Sequence, residues 1–97
     1  MQQLSSFSNT FSSLNVGFCN VNSIFNKIHI LSDFLFEHRL DIFGAAETWL
    51  LPDVPDSFVA IDNYTIVRSD TPGDARKHGM CVYVKRHKFY IFGSWLQ

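Results

Sequence analysis

The sequence is poor in charge. Asp, Glu, Lys and Arg make up 18% of its 97 residues, and they sum to a net charge of -1. Bulk basicity of the kind that draws a chain to polyanions is absent, so a nucleic-acid partner would have to be met through a local patch. Cysteine is scarce as well. Cys19 and Cys81 form neither a CxxC pair nor a zinc-finger spacing, and two cysteines do not make a disulfide framework. No stretch reaches the roughly eighteen apolar residues of a membrane span. The opening MQQLSSFSNTFSSL carries no Lys or Arg, so it lacks the basic start of a signal peptide. An intracellular chain with no membrane partner is therefore expected. No GxSxG elbow and no GxGxxG or GxxxxGK phosphate loop is present, and His29, His38, His78 and His87 show no HxxH or HExxH spacing.

Apolar surface, by contrast, is plentiful. Hydrophobic residues reach 46% and there are ten Phe, which excludes a disordered tail. The length suits one small domain or a piece of a larger one. A fully covered α/β sheet is hard to build here, because it needs several crossovers of about thirty residues each.

Residues 1–13 are rich in Ser, Asn and Gln and read as a flexible polar leader. From Leu14 the texture changes. In LNVGFCN, Leu14, Val16 and Phe18 alternate with small residues, the pattern of a buried strand. After a turn at Asn22 and Ser23, Ile24, Ile28, Leu31 and Leu35 recur at intervals of four, three and four, which predicts a helix over roughly 24–38. His38 and Arg39 close it at the negative end of its dipole. Asp41 opens a second apolar strand ending at Glu47. Strand, helix and strand outline one βαβ unit with parallel strands near 14–20 and 41–47.

The second half reads as a meander of mostly antiparallel strands. TWLLPDVPDSF is a loop with a turn of helix at its start, YTIVR a strand, and the Pro72-Gly73 region a polar loop. GMCVYV and FYIFGSWL are further strands, interrupted by KRHK. One helix covers one face of such a sheet. The aromatic surplus, including Phe43, Phe58, Phe89, Tyr90, Phe92 and Trp95, calls for a partner on the other face, most simply the remainder of the same polypeptide.

Sites in α/β folds gather at the carboxyl ends of parallel strands, where Asn20 and Glu47 both fall. A carboxylate there is either a ligand for a hard cation or a solvent-facing strand exit. Mg²⁺ is commonly held by one or two carboxylates, with waters and substrate phosphates completing its shell. Asn20 offers an amide that orients a carboxylate or donates to phosphate, or it caps the following turn. Between Arg68 and Lys88 lie Arg68, Arg76, Lys77, Lys85, Arg86 and Lys88 against Asp70 and Asp74. This basic stretch suits phosphate contacts, or else the solvated edge of a sheet. The cysteines read as small hydrophobes within strands.

NVGFCNVNSI with Lys27, followed by LDIFGAAETWL, resembles the start of the endonuclease/exonuclease/phosphatase superfamily. More narrowly, it resembles the endonuclease domain that precedes the reverse transcriptase of non-LTR retrotransposons. The matching positions are Asn20, Ser23, Lys27, Asp41-Ile42, Glu47-Thr48 and the Trp49-Leu50 after them. Tyr64, Arg68-Ser69-Asp70 and Gly79-Met80-Cys81-Val82 continue the same order. Cys19 replaces the Trp or Gln that often precedes the Asn, and His78-Gly79-Met80-Cys81 stands where a run of glycines is usual.

The resemblance implies an α/β fold, the amino-terminal part of a DNase I-like four-layer α/β sandwich, with residues 14–97 as a partial domain. It implies a Mg²⁺-dependent phosphodiester hydrolase, with Mn²⁺ as a substitute, that nicks target DNA for retrotransposition. Glu47 would bind the metal and Asn20 would help arrange the phosphate. Arg68, Arg76 and Lys77 are candidate phosphate or DNA contacts, and Ser23, Lys27, Thr48 and Gly79 are structural positions of the motif. Later motifs of the family, among them its general base, have no counterpart here. The isolated 97 residues are therefore expected to be inactive, with DNA as the parent protein's partner and the nucleus as its location. A non-catalytic interaction module and another phosphoesterase of the superfamily are the alternatives.

Overall fold

The computed structural model describes residues 5–8, 14–70 and 78–88. Five strands and one helix follow in the order β1 (Ser5–Ser8), β2 (Asn15–Asn20), α1 (Ile28–Glu37), β3 (Ile42–Ala46), β4 (Tyr64–Ser69) and β5 (Met80–Lys85). They form a single mixed sheet in the order β1-β2-β3-β5-β4. Strands β2 and β3 run parallel, with Val16 opposite Ile42 and Asn20 opposite Ala46. Every other pairing is antiparallel. A βαβ unit followed by a strand meander is the expected architecture, and β3 lies at its centre.

Alternation along the strands decides the two faces. Cys19, Phe43, Ala45, Cys81 and Tyr83 are buried on the helix side with Leu31 and Leu35 of α1. The connecting segments complete this core with Val21, Ile24, Leu40, Leu50, Val59 and Ile61. The cysteines are free and packed as hydrophobes. On the opposite face, Phe18 is 47%, Val67 41% and Met80 49% exposed. One helix covers one face.

Two tyrosines, Tyr83 buried and Tyr64 partly buried, tie the layers together. Tyr83 donates its hydroxyl to the carbonyl of Val59 at 2.6 Å, and Tyr64 donates to that of Leu40 at 2.5 Å. Buried Asp41 accepts from the backbone N–H of Asn15 at 2.8 Å and so locks the entry of β3 to that of β2.

Three local expectations change. Ser5–Ser8, inside the segment read as a leader, pair antiparallel with β2. Strand pairing uses main-chain groups that every residue carries, so a polar composition does not prevent it. The helix starts at Ile28 rather than near 24, because Asn22 (φ 50°) and Ser23 (φ 78°) are left-handed and Lys27 N–H closes a turn onto Ile24. The helical turn expected at the start of the Trp49 loop falls instead at its end, as a 3-10 turn over Asp56–Phe58. A second such turn, Arg86–Lys88, marks the break after β5. The strand expected over 89–96 lies outside the described residues.

Candidate functional site

Parallel pairing brings the carboxyl ends of β2 and β3 side by side, and Asn20 meets Glu47 there. Asn20 Nδ2 donates to Glu47 Oε2 at 2.7 Å. The amide is oriented from its other end, where Asn20 Oδ1 accepts the backbone N–H of Asn22 at 3.1 Å. A backbone donor cannot exchange roles with an acceptor. It fixes the oxygen of Asn20 toward the turn and the nitrogen toward Glu47.

Glu47 sits at φ 54°, and Trp49 two residues on sits at φ 63°. Left-handed backbone at a residue other than glycine is strained and persists only where neighbours over-determine it. Here they do. Ser23 N–H donates to the Glu47 carbonyl at 2.8 Å, and Ile24 N–H to the Thr48 carbonyl at 3.1 Å. From the other side, Thr48 N–H donates to Gly79 at 3.1 Å and Trp49 N–H to His78 at 2.9 Å. Fully buried Thr48 turns its Oγ1 toward the N–H of Leu50 at 3.3 Å. Gly79, at φ 95°, adopts a conformation that favours glycine. Ser23, Thr48 and Gly79 thus all touch the backbone that presents Glu47.

Lys27 also belongs to this end of the sheet without facing Glu47. Its Nζ donates to the carbonyl of Val21 and, at 2.9 Å, to that of Asn22. Asn22 and His78 are the participants that residue type did not single out, since both act through their backbone.

The described basic residues of the Arg68–Lys88 stretch do not gather at this site. Arg68 lies two strands from β3, about 10 Å laterally, and its guanidinium is spent inward. It donates to Asp70 Oδ1 and Oδ2 at 3.0 and 2.7 Å, to Asp56 Oδ1 at 2.9 Å, and to the carbonyls of Val54 and Leu51 at 2.6 and 3.1 Å. The Asp70 bonds, ahead of those to Asp56, raise its pKa further above the usual arginine value. With its side chain 11% exposed, Arg68 holds the 51–56 loop against β4 instead of offering donors to phosphate. Lys85 and Arg86 stand at the far end of β5, about 17 Å of strand away from the residue opposite Ala46. Arg76 and Lys77 lie outside the described residues. Among the described residues, Arg68 therefore shares no surface with Lys85 and Arg86.

Chemically, the site offers one carboxylate in a preset orientation. Among the described residues no group of three or more His, Cys, Asp or Glu side chains could hold a metal ion. A single carboxylate fits a Mg²⁺ that keeps most of its waters, and does not fit a cation that needs an all-protein cage. Among the described residues no helix is long and apolar enough to cross a membrane.

No protein-family model and no curated protein matches the chain. Solved structures do. An AP endonuclease from Archaeoglobus fulgidus is 28% identical over 73% of this chain, with a TM-score of 0.60. An AP endonuclease from Leishmania major is 19% identical over 75% of the chain, with a TM-score of 0.65. The chain spans 27% and 24% of the length of those two structures. A βαβ unit followed by a mixed meander matches the amino-terminal portion of a DNase I-like α/β sandwich, and by this fold the chain relates to the endonuclease/exonuclease/phosphatase superfamily.

Proposed function

We propose that the chain is the amino-terminal part of a Mg²⁺-dependent endonuclease that hydrolyses phosphodiester bonds in DNA. The observation that carries this reading is the 2.7 Å bond between Asn20 and Glu47 at the carboxyl ends of adjacent parallel strands. In this reading Glu47 is the metal ligand. The cation would supply charge stabilisation at the transferring phosphate, and Mn²⁺ would substitute for Mg²⁺. Asn20 holds the carboxylate in one orientation. The likeness to AP endonucleases of two organisms supports DNA as the partner. The Glu47-Thr48-Trp49-Leu50 run narrows the proposal to the endonuclease of a non-LTR retrotransposon, acting on chromosomal DNA in the nucleus. Residues 14–97 form part of that domain, and β1 (Ser5–Ser8) adds an edge strand to its sheet. The exposed face around Phe18, Val67 and Met80 is where the remainder of the polypeptide packs.

Mn²⁺ added to the isotope-labelled chain tests the metal role, because its unpaired electrons broaden nearby nuclear resonances. Signals of residues 20–23 and 46–49 are expected to broaden first, and Glu47→Gln is expected to abolish the effect. Broadening that is indifferent to Glu47→Gln would remove Glu47 from the site. On supercoiled plasmid with Mg²⁺, the isolated 97 residues are expected to nick little or not at all. They span only about a quarter of the matched structures, and each missing acid–base group forgoes about 10²–10⁴-fold in rate.

A further inference from the structure

Lys27 occupies the N-cap position of α1, with φ -123°. It is a poor residue for that place. N-caps are ordinarily Ser, Thr, Asp or Asn, whose oxygens accept the free N–H groups of the first turn. Lysine has no acceptor, and its charge stands unfavourably at the positive end of the helix dipole. No side-chain cap bond forms, and no acidic residue in the first turn offsets the charge. By cap and dipole alone, this position disfavours lysine.

What the ammonium touches supplies the reason. Its two acceptors, the carbonyls of Val21 and Asn22, lie on either side of Asn22. Asn22 and Ser23 are consecutive left-handed residues, a combination that L-residues rarely adopt in succession and that needs outside support, Ser23 above all. A point charge with three donors is suited to gathering two carbonyls that such a turn leaves pointing the same way. The held turn then aims the Asn22 N–H at Asn20 Oδ1, and this sends Asn20 Nδ2 to Glu47 Oε2. The described ion pairs are both formed by Arg68, so Lys27 reaches Glu47 through this relay and not by a direct salt bridge.

We infer that Lys27 is a positioning residue for the Asn20–Glu47 pair, its ammonium clamping the 20–23 turn in the one conformation that turns the Asn20 amide nitrogen toward Glu47. The inference rests on the proposed reading of Glu47 as the cation ligand, and it adds the group that orients that ligand's partner.

The test uses the isotope-labelled 97-residue chain with Lys27→Met, which keeps the aliphatic stem and removes the donors, and with Lys27→Arg. Hydrogen exchange of the Asn20 side-chain amide is the first readout, and Tyr83 resonances report the distant core. Lys27→Met is expected to speed Asn20 amide exchange about tenfold while Tyr83 is unmoved. It is expected to weaken Mn²⁺ binding about tenfold, the cost typical of losing an outer partner of a metal ligand. Lys27→Arg is expected to restore most of both. Folded Lys27→Met with Asn20 exchange unchanged from the parent chain overturns the inference. If Lys27→Met does not fold, the decision passes to through-hydrogen-bond couplings in the parent chain. Couplings from Lys27 Nζ to the carbonyl carbons of Val21 and Asn22 uphold the clamp, and their absence overturns it. Should Mn²⁺ leave Glu47 unaffected in the parent chain, the metal reading fails, while Asn20 exchange still decides the role of Lys27.

Discussion

The ring of Phe18 lies over Gly44 so closely that a Cβ on residue 44 would stand 2.9 Å from Phe18 Cδ1. The two are cross-strand partners on the open face, where Phe18 is half exposed and its ring has room to swing aside. Gly44→Ala therefore trades a displaced ring against a strand residue better than glycine, a gain of about 0.5–1 kcal/mol, and is expected to change stability by less than about 1 kcal/mol. Ala45, one residue on, points into the closed core between Cys19 and Cys81. Ala45→Val has nowhere to expand and is expected to cost about 1–3 kcal/mol. Urea unfolding of both variants checks this, and equal costs would mean that the two faces are equally closed.

Arg68 is expected to be worth more to stability than an ordinary surface arginine. Its five hydrogen bonds bind the carboxylates of Asp56 and Asp70 and the carbonyls of Leu51 and Val54. Arg68→Ala leaves the Asp70 carboxylate, itself 14% exposed, without its partner. The expected loss is about 3 kcal/mol, against about 0.5 for a surface change. Arg68→Lys is expected to recover only a minority, since an ammonium lacks the planar fork that meets both Asp70 oxygens. Limited proteolysis within the 51–56 loop gives a second readout, with faster cutting in either variant.

Much of this was legible in the residues, for definite reasons. The change from alternating to three-four spacing at Ser23 marks β2, α1 and β3, because side-chain direction repeats differently in strand and helix. Once those three are placed, parallel pairing alone brings Asn20 to Glu47. Strand β1 left no mark, since Ser5–Ser8 pair through main-chain groups. The late start of α1 depends on left-handed backbone at Asn22 and Ser23, which residue identity does not announce. Arg68 looked like a phosphate contact because charge can be counted in a sequence. Whether that charge is already spent on Asp70 depends on how the 51–56 loop folds back.

Alkaline pH is expected to unfold the chain, with the loss beginning near pH 9. Burial pushes the Cys81 thiol from about 9 up to about 12, and burial, with Asp41 adding to it, pushes the Tyr64 hydroxyl from about 10 up to about 12. Tyr83 is raised as well, chiefly by burial. In each case the unfolded chain releases its proton first, so the folded state holds more protons and stability falls as pH rises. The contribution is complete below pH 9 and is lost toward pH 12, at up to about 1.4 kcal/mol per pH unit for buried Cys81 and Tyr83 and at less for the partly exposed Tyr64, which solvent screens. Tyr83→Phe removes one of these protons and also the bond to the Val59 carbonyl. It is expected to be about 1 kcal/mol less stable at pH 7 and to lose stability less steeply above pH 10. Urea midpoints between pH 7 and 11 test both statements, and a flat profile would refute them.

Glu47 carries the clearest mark of a residue kept for something other than stability. Its φ of 54° suits glycine, and a side chain there costs about 1–2 kcal/mol. The bonds from Ser23 to Glu47 and from Thr48 to Gly79 hold the backbone in place, so the strain has no local escape. Glu47→Gly relieves that strain, gives back about 0.5–1 kcal/mol through the greater freedom of unfolded glycine and loses the bond from Asn20, about 0.5–1 kcal/mol more, so its stability is expected to stay within about 0.5 kcal/mol of the parent's. Glu47→Ala keeps the strained backbone and loses the bond from Asn20, so it is expected to be less stable than the parent by about 0.5–1 kcal/mol. The informative quantity is the difference between the two variants, because both remove the carboxylate and only one relieves the backbone. Thermal and urea unfolding should place glycine above alanine by about 0.5–1 kcal/mol, with alanine below glutamate. Alanine above glycine would mean that the backbone is unstrained, and that no stability is being given up to present the carboxylate.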